Sequence, residues 1–150
     1  MAAVNNDPIF TRAADIQWNA TSPILTNAMT AANVSGYNGT DANVALVFTA
    51  DATNGGFVRS IRAKCCAITG TSAASVLRIF LNNGSANSTA ANNSLIGEVN
   101  LPATAYSIAA ASPDIEYFIN MPIPAGYKLY AGLGTAVTTG WAITCIAGKY

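Results

Sequence analysis

Apolar residues in this chain come in short runs, most alternating with polar ones and most closed by Asn, Gly, Ser or Pro. Alternation places successive side chains on opposite faces, the mark of a strand packed on one side. Val44–Ala50 reads as a nearly continuous apolar strand, and Asp51-Ala52-Thr53-Asn54-Gly55-Gly56 as the turn after it, its glycines supplying positive φ. Phe57–Ile68 reads as a long strand with Phe57, Arg59, Ile61, Ala63 and Cys65 on the core side, Arg59 sitting near the end or at a bulge. Ser75–Asn82 is apolar on both faces, Leu77, Ile79 and Leu81 on one and Val76, Arg78 and Phe80 on the other, so a neighbour is expected to cover its outward side. Asn83–Asn93 is a polar loop of small residues, expected as a functional excursion or a disordered, solvent-facing tip. Leu95–Leu101, Ile115–Met121, Tyr127–Leu133 and Trp141–Ala147 complete the set, with Glu116, Phe118 and Asn120 on the outward face of theirs.

Seven or eight strands, turns every 8–15 residues and no helix of usable length predict an all-β fold, an antiparallel two-sheet β-sandwich. Connections of unequal length favour a jelly roll, in which strands cross between sheets; an immunoglobulin-like Greek key stays open on sequence alone. Residues 1–30 differ in character, with Asn5-Asn6, Pro8, Pro23 and the apolar bits Ile9-Phe10 and Ile16-Gln17-Trp18. They suggest an extended N-terminal arm that crosses a neighbouring surface or clips onto a sheet edge, ahead of a sandwich domain at 31–150; an ordinary first strand with a frayed start is the alternative. Ala28–Ala32 is long enough for one helical turn.

Composition sharpens this picture. The chain has seven basic and seven acidic residues among 150, a net charge of zero and no histidine. Charged residues are 9% against a usual quarter, so either Asn, Thr and Ser solvate the surface or an assembly buries much of it. Of the cations only Arg59, Arg62 and Lys64 cluster, too few for a phosphate-binding surface, which argues against nucleic acid. Residues 129–148 carry no charge, but their four glycines and a Thr138-Thr139-Gly140 turn read as two strands rather than a membrane span. The N-terminus lacks a basic stretch followed by an apolar one, so no secretion signal is read there. Cys65, Cys66 and Cys145 read as buried thiols of a protein made in a reducing cytoplasm, with a bridge from Cys65 or Cys66 to Cys145 open in principle.

Candidate chemistry is sparse. Without histidine, Ser-His-Asp and Cys-His arrangements are excluded. Glu98, Asp114 and Glu116 are the carboxylates near strands, and Glu116 on an outward face reads as a solvated charge. No spacing suggests a zinc or calcium site, and no glycine-rich loop opens a helix to cradle phosphate, so no cofactor or metal is expected. Trp141, Tyr130 and Tyr117 fall in strands and read as core. Ile9, Phe10 and Trp18 in the arm, and Tyr37 in a Gly/Asn loop, are the candidate partner-interface residues.

The run VRSIRAKCCAITGTSAASVLRIFLNNG, then SLIGEVNLPA, then MPIPAGYKLYAGLGT and the closing WAITCIAGKY resembles small β-sandwich virion proteins of tailed bacteriophages, the capsid decoration or cement proteins and related head or tail accessory proteins. The resemblance covers roughly residues 44–150 and carries no catalytic signature. It implies a non-enzymatic virion component on the capsid surface, often a homotrimer, made in the host cytoplasm, whose partners are the major capsid protein and itself. On that expectation the arm makes the lattice contact, and deleting residues 1–20 abolishes binding while leaving the sandwich folded. A tail-fibre or receptor-binding domain that recognises host surface glycan through exposed aromatics is the alternative. A bacterial adhesin module and a hydrolase stand further back.

Overall fold

A computed structural model of the chain describes residues 13–19, 24–26, 37–40, 42–67, 69–137 and 139–150. Eleven strands run in chain order: β1 (Ala13–Gln17), β2 (Ile24–Leu25), β3 (Ala45–Thr49), β4 (Gly56–Cys65), β5 (Thr71–Ser72), β6 (Ser75–Asn82), β7 (Asn93–Leu101), β8 (Thr104–Ala105), β9 (Asp114–Ile123), β10 (Lys128–Leu133) and β11 (Trp141–Lys149). Sheet I has the order β1-β11-β4-β9, with β2 also on β11; sheet II has the order β3-β10-β6-β7; β5 and β8 form a small ladder of their own. The pairing is antiparallel and nested. The first strands pair with β11, β3 with β10, β4 with β9, and β6 with β7. One long hairpin is thus wound into two sheets, with the further pair β4–β11 completing sheet I and β6–β10 completing sheet II. This is the jelly-roll arrangement, and it decides between the two topologies open on sequence.

The core lies between the sheets. From sheet I it takes Val58, Ile61, Ala63, Cys65, Trp141, Ile143 and Cys145; from sheet II Val47, Phe48, Leu77, Ile79, Leu129, Ala131 and Leu133. Arg59 sits at a bulge. Ser60 lies opposite Ile146 and Val58 opposite the next residue, Ala147, so Arg59 is the extra residue on β4. On β9, Ile119 and Asn120 take up the same irregularity, with Asn120 at φ 47°. The bulge flips the alternation. Val58, not Phe57, therefore fills the core beyond it. Pro122 is tolerated in β9 because β9 is an edge strand of sheet I.

The stretch read as an arm contributes β1 and β2 to sheet I. Gln17 ties β1 to the other sheet: its Oε1 accepts from the Thr49 N–H at 2.8 Å and its Nε2 donates to the Thr49 carbonyl at 3.3 Å. The remaining residues of 1–30, the proposed domain boundary at 30/31 and the Ala28–Ala32 turn lie outside the described residues. The uncharged run 129–148 holds most of β10 and β11, as two strands.

A Cys65–Cys145 bridge is ruled out by register. Cys65 lies opposite Trp141 and Cys145 opposite Ile61. Four residues along a strand separate them by about 13 Å, where a disulfide needs Cα atoms within about 7 Å. All three cysteines are free thiols.

Candidate interaction face

The two outer faces of the sandwich differ. On sheet II, residues 37–40 and 42–44 strap across the outward side of β6. Phe80 is fully buried there with Val44, and Leu95 and Tyr130 pack against them. Gly39, at φ +67°, passes so close that a Cβ on it would lie 2.9 Å from the Phe80 ring. Arg78, only 6% exposed, holds Glu98 through Nε at 2.8 Å, and its guanidinium lies 4.1 Å from the centre of the Tyr37 ring. Asn93 Nδ2 donates to the Asn38 carbonyl at 3.0 Å and fastens the strap to β7. The cover expected over Val76, Arg78 and Phe80 therefore includes this chain's own residues, and Tyr37, expected as a partner anchor, stacks on Arg78 with 44% of its surface still exposed.

The outer face of sheet I has no such strap among the described residues. Register places its outward side chains in rows across the strands. One row is Ile16, Ile146, Ser60 and Phe118. A second is Thr144, Arg62 and Glu116, and a third is Ile24, Ala142, Lys64 and Asp114. The first row is apolar except for Ser60, which is buried beneath its neighbours and donates its hydroxyl proton to Glu116. Ile16 is 56% exposed and Phe118 53%; Trp18, just past the end of β1, is 56% exposed and Ile24 40%. Large apolar side chains repeated on one sheet face, rimmed by charge, mark a candidate interaction surface.

The charges on this face are already partnered. Arg62 forms a two-point pair with Asp114. The guanidinium beside it holds the Asp114 carboxyl below its usual range, and Asp114 in turn raises Arg62. Lys64 donates to the Ser112 carbonyl at 2.7 Å, and Arg59 lies 6.0 Å from the centre of the Phe118 ring. The three clustered cations are thus engaged by a carboxylate, a carbonyl and an aromatic face.

Of the residues expected at a partner interface, Trp18 is exposed just past the end of β1, the strand that carries Ile16, and Tyr37 lies on the other sheet. Ile9 and Phe10 lie outside the described residues. Sequence reasoning singled out neither Phe118 nor Ile16 and Ile146 as contacts. The signal for Phe118 was present: a large aromatic between Glu116 and Asn120 on the outward face of an alternating strand. Among the described residues no group of three or more His, Cys, Asp or Glu is placed to hold a metal ion.

The loop between β6 and β7 is built rather than loose. It contains a single 3-10 turn at Ala90–Asn92. Asn side chains satisfy its backbone: Asn93 Nδ2 also reaches the Asn87 carbonyl at 2.7 Å, Asn92 Nδ2 the Ala86 carbonyl at 2.8 Å, and Asn82 Oδ1 accepts from the Gly84 N–H at 2.9 Å. Compared with protein-family models, curated proteins and solved structures, the chain matches none.

Proposed function

We propose that this protein is a non-enzymatic virion component, a capsid decoration protein of a tailed bacteriophage that docks on the assembled shell through the outer face of sheet I. The observation that carries the reading is the asymmetry of the sandwich. Among the described residues, one outer face is crossed by the chain's own strap, which buries Phe80 and Arg78, while the other leaves Ile16 and Phe118 more than half exposed, with Ile146 half-buried between them. A partner that covers this face gains apolar burial at about 25 cal/mol per Å². The paired charges beside it offer no free cation cluster for a polyanion, which favours protein over nucleic acid as the partner. A protein that binds only the assembled lattice stabilises it by linkage, about 2.7 kcal/mol per site at a free concentration one hundred times Kd. The homotrimer and the capsid-surface location implied by the sequence resemblance belong to this proposal.

The test is co-sedimentation of the purified chain with capsids that lack it. Phe118→Asp and Ile16→Asp replace side chains more than half exposed, so each should cost about 1 kcal/mol of folding stability, and urea unfolding of the variants checks that they stay folded. Both are expected to lose capsid binding. Undiminished binding by the double variant overturns the docking face. Binding to host polysaccharide, with none to capsids, would replace the proposal with the receptor-binding reading.

A further inference from the structure

The sequence contains three Asn-Gly pairs, at Asn38, Asn54 and Asn83. This pair is the one most prone to deamidation, because a glycine amide meets little steric hindrance in attacking the preceding side chain. The structure treats the three asparagines differently. Asn38 is half-buried, and its Oδ1 accepts from the Thr40 N–H at 3.3 Å and from the Thr40 hydroxyl at 3.0 Å. The Asn83 carboxamide is held at both ends: Nδ2 donates to Asn92 Oδ1 at 3.2 Å, and Oδ1 accepts from the Ser85 N–H at 3.1 Å. Asn54 is exposed at the β3–β4 turn. Among the described residues only its backbone is engaged, its N–H donating to Asp51 Oδ1 at 2.8 Å. The Gly55 N–H that must attack donates to the Asp51 carbonyl at 3.2 Å, whereas the Gly84 N–H that would attack Asn83 is held by Asn82 Oδ1 at 2.9 Å.

We infer that Asn54 is the native-state modification site of this protein, a position that converts spontaneously to aspartate and isoaspartate. The Gly55 nitrogen bonds to Asn54 Cγ and gives up its proton. The Cγ–Nδ2 bond breaks and Nδ2 leaves as ammonia. Water then opens the resulting succinimide ring at either carbonyl. No other reactant is needed. The product adds one negative charge beside the Asp51 carboxylate, which the Asn54 and Thr53 N–H groups already hold below its ordinary range. The isoaspartate form also lengthens the turn backbone by one carbon where Gly55 lies against the Ile123 carbonyl; a Cβ on Gly55 would sit 2.4 Å from that oxygen. Age would therefore write a charge and a backbone change into one end of the sandwich.

The experiment incubates the folded chain at mildly alkaline pH and follows the three sites by peptide mapping with mass spectrometry, with isoaspartate scored separately. The urea-unfolded chain is run in parallel. Asn54 is expected to react about tenfold faster than Asn83 or Asn38 in the folded chain, the factor for one ordinary hydrogen bond that must break first. Unfolding should bring the three rates together. Asn92→Ala, which releases the Nδ2 end of the Asn83 carboxamide, should accelerate Asn83 and leave Asn54 unchanged. Native rates for Asn83 or Asn38 that equal Asn54, or an unchanged ranking in urea, would overturn the assignment.

Discussion

Alkaline pH should destabilise this protein through one buried thiol. Cys145 is fully buried on β11. Burial first, and the Asp15 carboxylate second, push its pKa from an ordinary 9.0 up to about 12. The native state therefore keeps a proton that the unfolded chain surrenders at its ordinary value. Above pH 9.0 the unfolded state binds fewer protons, so stability falls as pH rises. The contribution is complete below 9.0 and is lost progressively up to about 12. Between about pH 8 and about pH 10.5 the loss is about 2 kcal/mol. Tyr130, also raised by burial, acts in the same direction above its ordinary 10.0, so the thiol must be isolated by difference. Urea unfolding under reducing conditions across this range, on wild type and Cys145→Ala, supplies that difference. Wild type should lose about 2 kcal/mol more than the variant. Parallel losses in the two proteins would refute the reasoning.

The pair under the strap makes an asymmetric prediction. Glu98→Ala leaves the buried Arg78 guanidinium without its carboxylate and should cost about 2 kcal/mol in urea unfolding, whereas Arg78→Met leaves a half-exposed Glu98 that water can solvate and should cost about 1 kcal/mol or less. The reverse order would contradict the account of the strap. In alkylation timed by mass spectrometry, half-buried Cys66 should react in the native state and Cys65 and Cys145 only on unfolding; early labelling of Cys145 would contradict its burial. Gln17→Ala removes both bonds to Thr49 and should cost about 1–2 kcal/mol. Deletion of residues 1–20 strips β1 as well and should lower stability further; an unchanged urea midpoint for the deletion would show that β1 adds nothing to sheet I.

Strand identity was legible because alternation is local. Ile115, Tyr117, Ile119 and Met121 do share the inward side of β9, and Trp141 does fill the core. Arg59 was legible as a misfit, since a charge on a core face demands a bulge or a chain end. The flip it imposes on Phe57 and Val58 was not, because alternation carries no record of an inserted residue. The strap was legible only from one side: Phe80 and Arg78 announced a cover, but nothing local says that it comes from residues about forty positions earlier. Thr71–Ser72 and Thr104–Ala105 pair as strands with no apolar signal at all. Order in the β6–β7 loop comes from Asn carboxamides closing on backbone groups, which composition alone reads as a polar tip. The apolar row on sheet I needed register, because Ile16, Ile146 and Phe118 stand on three separate strands and become neighbours only through the nested pairing.

The most direct measurement is electron cryo-microscopy of purified particles, with the jelly roll fitted into its density. The account predicts the chain seated on the assembled capsid, the row from Ile16 to Phe118 turned toward the shell or a neighbouring subunit, and the strapped face of sheet II turned away. Density that places the chain only in the tail, leaves it out of the particle, or exposes the sheet I row to solvent would contradict it.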